Sequence, residues 1–374
     1  MSSHKPCDPG DEHAHAAEPN PPERGSALSP TDSVTVVIVT HDHAAVIGTT
    51  LEVLGAQLRA GDEIVVVDNA SVDGTAAVVA RSAPATRVIA NARNEGFSAA
   101  CNRGAEAAQG ELLVFLNPDA VPAPGFCAAI RRPRSDGSEW AAWMGLVTTD
   151  GGRLINTSGG VVHFTGISWA GEIGRPADAA GAAREVAFLS GACMAVPRDT
   201  WMRHGGFSPL FFMYCEDVDL SLRLRLAGGR LGLEPAARVD HAYTFAKGAY
   251  KWRLLERNRW ATIIRTYPAP LLAAVAPALV ATEIALVGVS LAGGWAPQKL
   301  AAAIDTGRAL RRLLRERRAI QAGRTIGAAA FAASLSAELS SPHLGRVGSL
   351  RPLGWALAVY WRAVRRVLEL SARA

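Results

Sequence analysis

What most constrains this chain is a series of short, uniformly apolar runs, each followed by a helix-length stretch and each ending in a polar cluster. Residues 34–40 (VTVVIVT) give way to His41, Asp42 and His43, residues 63–67 (EIVVV) to Asp68, Asn69 and Ser71, and residues 111–116 (ELLVFL) to Asn117, Pro118 and Asp119. Residues 45–58 carry Val46, Leu51, Leu54 and Leu58 near helical spacing; further helices are expected over 74–81 and 97–108, and a strand over 86–90. Strands apolar on both faces and alternating with helices predict a parallel sheet covered on both sides. Ligands sit beyond the carboxyl ends of such strands, where Asp68 and Asp119 stand. From 131 to 234 the alternation loosens. A strand over 186–196, a helix over 218–227 and a strand over 230–233 are expected to extend the sheet with mixed strands.

A length of 374 residues suggests about two or three units, and 49% hydrophobic with 20% charged residues excludes wholesale disorder and a collagen-like fibre. Residues 1–32 are rich in Pro, Ala, Ser, Glu and His without an apolar period. They are expected to form a disordered tail with no signal-peptide core, its His4, His13 and His15 solvated rather than metal-bound. Five cysteines without a C-x-x-C pair give neither a disulfide framework nor a zinc ribbon, and reduced thiols in a cytosolic setting are expected. The formal charge of +5 is uneven. From Lys299 to Ala374, fourteen Lys and Arg stand against four Asp and Glu, so a mildly acidic body carries a basic tail whose partner is anionic.

Four constellations carry chemistry, each with a plainer alternative. Asp68 closes a buried strand and needs hydrogen-bonding partners, which a nucleoside can supply; Ser71, Asp73 and Thr75 are equally helix caps. Neither G-x-G-x-x-G nor G-x-x-x-x-G-K-[ST] is present, which argues against a dehydrogenase and a P-loop enzyme. Asn94-Glu95-Gly96-Phe97 opens a helix and is either an anion-binding turn or a simple loop-to-helix transition. Asp119 is placed to hold a hard divalent cation, or is a turn Asp after Pro118. Glu216-Asp217-Val-Asp219 puts three acids at a helix start, as dipole partners or as a paired-carboxylate general base. His241 is a metal ligand or a structural histidine, and Arg257 and Asn258 clamp phosphate or face water.

In order, these segments resemble the family 2 glycosyltransferases, which have the GT-A fold, and within them the bacterial rhamnosyltransferase-like branch that builds cell-surface glycans. The resemblance runs from about Val34 to Tyr267 and into the tail. It implies a GT-A domain over 33–267 followed by a helical, membrane-associated region over 268–374. It implies that Asp68 binds base and ribose with Asp73 close by, and that Thr40, Asn69, Asn94, Gly96, Phe97, Asn102 and Asn117 line the nucleotide-sugar site. The family's D-x-D metal motif falls on Asn117-Pro118-Asp119, leaving Asp119, with His241, to hold Mg²⁺ or Mn²⁺. Its E-D dyad falls on Glu216-Asp217, with Asp217 the base of an inverting transfer, and Ser190-Gly-Ala-Cys193 falls on the acceptor side. The implied partners are dTDP-rhamnose and a polyprenyl-diphosphate-linked glycan at the cytoplasmic face of a bacterial plasma membrane. A sugar-phosphate nucleotidyltransferase would want a Gly-rich, Lys- or Arg-bearing loop where His41-Asp42-His43 stands; an inactive scaffold would not need Asp68, Asp119 and Asp217 together.

The tail fits a membrane. Residues 269–296 are apolar with one charge, Glu283, and Pro277 is expected to break them, leaving a span, a shallow hairpin or a core helix. Residues 299–318 and 352–370 set Leu and Trp against many Arg, as suits an anionic leaflet, or a basic appendage packed on the body. No nucleic-acid motif is recognised, and no nucleic-acid partner is expected.

Overall fold

β-branched residues on both faces bury β1 (Val34–Thr40) at every position; α1 (Ile47–Gly55), β2 (Glu63–Asp68), α2 (Thr75–Ser82), β3 (Arg87–Ala90), α3 (Phe97–Ala107) and β4 (Leu112–Leu116) follow in the expected alternation. The computed structural model describes residues 1–2, 33–241, 248–339 and 351–372. β1 pairs in parallel with β2 and β4, and β2 with β3, Thr40 standing opposite Asp68 and Asp68 opposite Ala90. The carboxyl ends of these four strands share one edge. Gly104 lets α3 lie directly on the sheet, since a Cβ there would come within 2.4 Å of Val37.

The mixed half of the sheet begins with β5 (Ala120–Pro122), α4 (Phe126–Ala129), α5 (Arg132–Ser135) and β6 (Trp140–Thr149). β7 (Leu154–Thr157), β8 (Gly160–Val162), β9 (Ser168–Ala170), β10 (Arg184–Glu185) and β11 (Cys193–Pro197) continue it, followed by α6 (Arg198–Arg203), α7 (Glu216–Leu226) and β12 (Arg230–His241). The strand order is β10-β12-β6-β11-β4-β1-β2-β3, with β5 added to β12 and β7 to β6, while β8 and β9 form a separate antiparallel pair. β11 runs antiparallel between β4 and β6.

Two strand expectations are corrected. Residues 186–192 are not strand: Leu189 N–H donates to Ser221 Oγ (3.1 Å) and Gly191 N–H to Asp217 Oδ2 (3.0 Å), so side chains of α7 take donors that a ladder would use. The last strand does not stop at 233 but runs 12 residues to His241, accommodating Pro235 through a bulge between Glu234 and Arg238.

Five helices follow: α8 (Tyr250–Thr266), α9 (Ala269–Ala292), α10 (Ala296–Ala322), α11 (Ala328–Ala332) and α12 (Arg351–Ser371). Pro277 does not break α9, contrary to expectation. Leu271, Val275 and Leu279, on both sides of the proline, share a buried cluster with Tyr267, Phe331, Trp361 and Leu368 that offsets the lost hydrogen bond. Among the described residues α9 alone is long and apolar enough to cross a membrane by length and composition. Residues Asp32–Ala374 form one compact unit. The expected disordered tail with His4, His13 and His15, and also Cys7, lie outside the described residues; Cys101, Cys127, Cys193 and Cys215 are free thiols.

Candidate active site

At the shared strand edge, Asp68 Oδ1 accepts the Ser71 N–H at 3.0 Å. Asn69, buried beside it, knits the neighbouring loops together. Its Oδ1 accepts Asn91 Nδ2 (2.9 Å) and the Glu95 N–H (3.0 Å), while its Nδ2 donates to Asn94 Oδ1 (2.9 Å). Asn94 Oδ1 also accepts the Gly96 N–H at 2.9 Å. Gly96 has φ +84, and a Cβ there would strike the Phe212 ring at 2.5 Å and its carbonyl oxygen at 2.7 Å. The Ser98 N–H donates to that carbonyl at 3.0 Å, which ties the start of α3 to the loop that precedes α7.

Asp73 and Asn102 are placed differently. Asp73 Oδ1 accepts the Thr75 N–H and hydroxyl (3.0 and 2.5 Å) and Oδ2 the Ala44 N–H (2.9 Å). The Thr75 hydroxyl first, then the Ala44 N–H, hold its carboxyl below the ordinary range. Asn102 spends both ends of its amide on the Phe207 backbone, 105 residues away, at 2.7 and 3.0 Å. Both side chains tie their segments to backbone far off in sequence.

After β4, the Asn117 N–H donates to the Ala192 carbonyl at 3.1 Å. Pairing of β5 with the end of β12 sets His241 opposite Ala120, so His241 Nε2 lies 3.2 Å from Asp119 Oδ1 and 3.4 Å from Asn117 Nδ2. Burial alone would push the Asp119 carboxyl up, but the hydrogen bond and charge of His241, with His43 further off, leave it below the ordinary range. Among the described residues no three His, Cys, Asp or Glu side chains gather as a complete metal cage. One carboxylate and one imidazole 3.2 Å apart do fit neighbouring positions on one divalent cation that draws its other ligands from a diphosphate and water.

One residue along from Ala192, Gly191 donates its N–H to Asp217 Oδ2, and Asp217 Oδ1 accepts the Val218 N–H at 2.8 Å. A side chain at Gly191 would touch both the Phe97 ring and the Asp217 carboxylate, at 3.5 and 3.7 Å, so α3 and the acidic dyad meet across this one residue. Burial raises the Asp217 carboxyl despite its N–H donors. Glu216 is buried, its Oε2 has no partner among the described residues, and burial followed by the Asp217 charge pushes it well above the carboxylate range. A group whose native pKa is raised keeps a proton that the unfolded chain releases near pH ~4.3, so stability falls as pH climbs from there through the native pKa. Glu216→Gln is therefore expected to raise Tm, and by more at pH 8 than at pH 5 in thermal melts; an equal shift at both would remove the carboxyl from that role.

The loop leading into the dyad is strained. Phe212, Tyr214 and Cys215 have φ of +62, +69 and +62, and the Met213 N–H reaches back to the Phe211 carbonyl at 2.7 Å. Asn258 of α8, fully buried, holds it: Nδ2 donates to the carbonyls of Phe211 (3.0 Å), Met213 (2.9 Å) and Tyr214 (2.7 Å), and Arg257 adds a bond to Phe211 at 2.7 Å. Both residues are engaged with the loop, and their local sequence carries no sign of this use, because the partners lie 44 to 47 residues away.

Asp68, Asp119 and Asp217 thus converge on one edge of the sheet; Asp68 and Asp119 follow strands two spacings apart, about 10 Å. A mixed α/β sheet of this order, with acidic groups gathered past its strand ends, has the GT-A fold. The family model "Glycosyl transferase family 2" matches residues 35–199, and "Glycosyl transferase family group 2" matches 153–310. The chain belongs to the family 2 glycosyltransferases, on their rhamnosyltransferase-like branch. It is 28% identical over 242 residues to N-acetylglucosaminyl-diphospho-decaprenol L-rhamnosyltransferase of Mycobacterium tuberculosis, covering 58% of this chain and 78% of that one. It is 41% identical over 81 residues to rhamnosyltransferase WbbL of Escherichia coli, covering 20% and 30%. Among solved structures, Staphylococcus aureus TarS 1-349 with UDP is similar in fold (TM-score 0.51, 17% identity, 91% of each chain). So is GalNAc-T7 with UDP, GalNAc and Mn²⁺ (TM-score 0.51, 18% identity, 65% of this chain and 50% of that one).

Proposed function

We infer that this glycosyltransferase moves rhamnose from dTDP-rhamnose to a polyprenyl-diphosphate-linked glycan, with inversion, at the cytoplasmic face of a bacterial plasma membrane. The observation that carries the reading is the run Gly191–Ala192. One N–H holds Asp217 and the next carbonyl holds the Asn117 loop, so base and diphosphate side are fixed to adjacent residues. Asp217, raised by burial, takes the proton of the acceptor hydroxyl as that oxygen attacks the anomeric carbon in line, and the glycosidic bond to the diphosphate breaks. Asp68 and Asn69 position the nucleoside, and Gly96 with Phe97 closes over the sugar. Asp119 and His241 would hold Mg²⁺ or Mn²⁺, which neutralises the departing diphosphate. The similarity to a relative named for a diphospho-decaprenol acceptor supports the lipid-linked substrate, and the Mn²⁺ held with UDP by GalNAc-T7 supports the cation.

The test is turnover of the full chain with dTDP-rhamnose and N-acetylglucosaminyl-diphospho-polyprenol, with Mg²⁺, Mn²⁺ or chelator. Rhamnosyl product is expected. Transfer from other nucleotide sugars only would overturn the donor, and no transfer from any would overturn the enzyme. Asp119→Ala is expected to lower kcat/KM about a hundredfold and to remove the cation-dependent thermal shift by dTDP; a shift of wild-type size would remove Asp119 from the cation site.

A further inference from the structure

α9 has the length to cross a bilayer: 24 residues rise about 36 Å against a hydrocarbon core of about 30 Å. Its attachments hold it elsewhere. At its start it leaves α8 directly through Tyr267 and Pro268, and Arg317 of α10 donates to the carbonyls of Ile264 and Tyr267 at 2.7 and 2.6 Å. Just past its end, Trp295 stacks on Trp252 in the first turn of α8, ring centroids 5.0 Å apart. In its middle, Glu283 is ion-paired with Arg259 of α8 and, at 3.0 Å, with Lys299 of α10. Arg259 and Lys299 share Glu256 as well, at 3.3 and 2.6 Å, and Arg259 donates to the Thr165 carbonyl at 3.1 Å. Start, middle and end of α9 are all fastened to one helix of the catalytic unit. Crossing a bilayer would draw that helix and a four-charge cluster into hydrocarbon, or pull the pairs apart.

The outward side of α9 is apolar in a way water does not favour. Val280, Ile284, Val287 and Leu291, spaced four, three and four residues, form one stripe that is 48–69% exposed. The next helices mix exposed apolar and basic residues: Leu300 and Ile304 with Arg308 and Arg311 on α10, Trp355 with Arg362 on α12. We propose that α9 lies in the plane of an anionic leaflet, with this stripe in the acyl layer and the arginines among the headgroups, and does not span. The partner is a bilayer because the helices that follow α9 pair exposed apolar residues with arginines, the composition an anionic leaflet takes up. Arg259 of the α9 anchor follows Asn258 of the dyad clasp in sequence, so α8 fixes the height of the cleft above the lipid. The inference rests on the lipid-acceptor reading above.

The test uses the full chain and vesicles of phosphatidylglycerol with phosphatidylcholine, or phosphatidylcholine alone. Binding to the anionic vesicles and release by alkaline carbonate are expected. A fluorophore on Gly288→Cys, where an added side chain meets nothing within 4 Å, should be quenched by shallow rather than deep spin-labelled lipids. Ile284→Asp with Val287→Asp should weaken partitioning at least about tenfold, with Tm and turnover on a water-soluble acceptor unchanged. Carbonate resistance with deep quenching would show a span, and a dimer dissolved by the same variant without vesicle binding would show a second copy on the stripe; either overturns the proposal. The vesicle, quenching and Tm readouts are independent of turnover, so loss of the rhamnosyl reading leaves them interpretable.

Discussion

Asp217→Asn is expected to cut kcat by about a thousandfold or more while dTDP-rhamnose binding, followed by calorimetry, stays within a few fold. The carboxylate is held at both oxygens, by Gly191 and Val218 N–H groups, so the group is oriented before substrate arrives. An amide of the same shape keeps one acceptor and loses the basicity. Burial raises the wild-type carboxyl, so the rate should climb with pH through a value above the ordinary carboxylate range, and the variant should lose that limb. Asp217→Glu keeps the charge but displaces it and should fall between the two. Unchanged turnover in the Asn variant would remove Asp217 as the base.

The second large effect belongs to a residue that touches no substrate. Asn258→Ala takes the Nδ2 donor from the carbonyls of Phe211, Met213 and Tyr214 in a strained loop, while Phe211 keeps its bonds from Arg257 and the Met213 N–H, and a loss of about 2 kcal/mol in chemical denaturation is expected, with kcat falling and donor KM held. Asn258→Asp separates donation from packing: it fills the same space but sets a carboxylate against three carbonyl oxygens, and should be at least as damaging. An Asn258→Asp variant as stable and active as wild type would make Asn258 a packing residue and no clasp.

Position along the chain made much of this legible. Runs such as VTVVIVT and ELLVFL are apolar on both faces, which only a covered parallel sheet accommodates, so the places of Asp68 and Asp119 at strand ends followed from where those runs stop. What stayed hidden depends on partners far off in sequence. Asp73 and Asn102 look like ligands in a motif, and nothing in the motif announces that they also hold the Ala44 and Phe207 N–H groups. The loop over 186–192 has the apolar character of a strand, and only Ser221 and Asp217 of α7, arriving from later in the chain, divert its N–H groups. His241 stood out as a candidate ligand to pair with Asp119, but the route that brings the two together, β12 passing a proline through a bulge, did not.

The buried Glu216 has one more consequence. Burial and the Asp217 charge push the Glu216 carboxyl well above the carboxylate range, so the dyad carries less negative charge than two solvated acids would. In the proposed reaction both substrates are diphosphates, and each must approach that wall. A cleft with part of its acidity suppressed repels them less, and Asp217 is the side chain left to accept a proton.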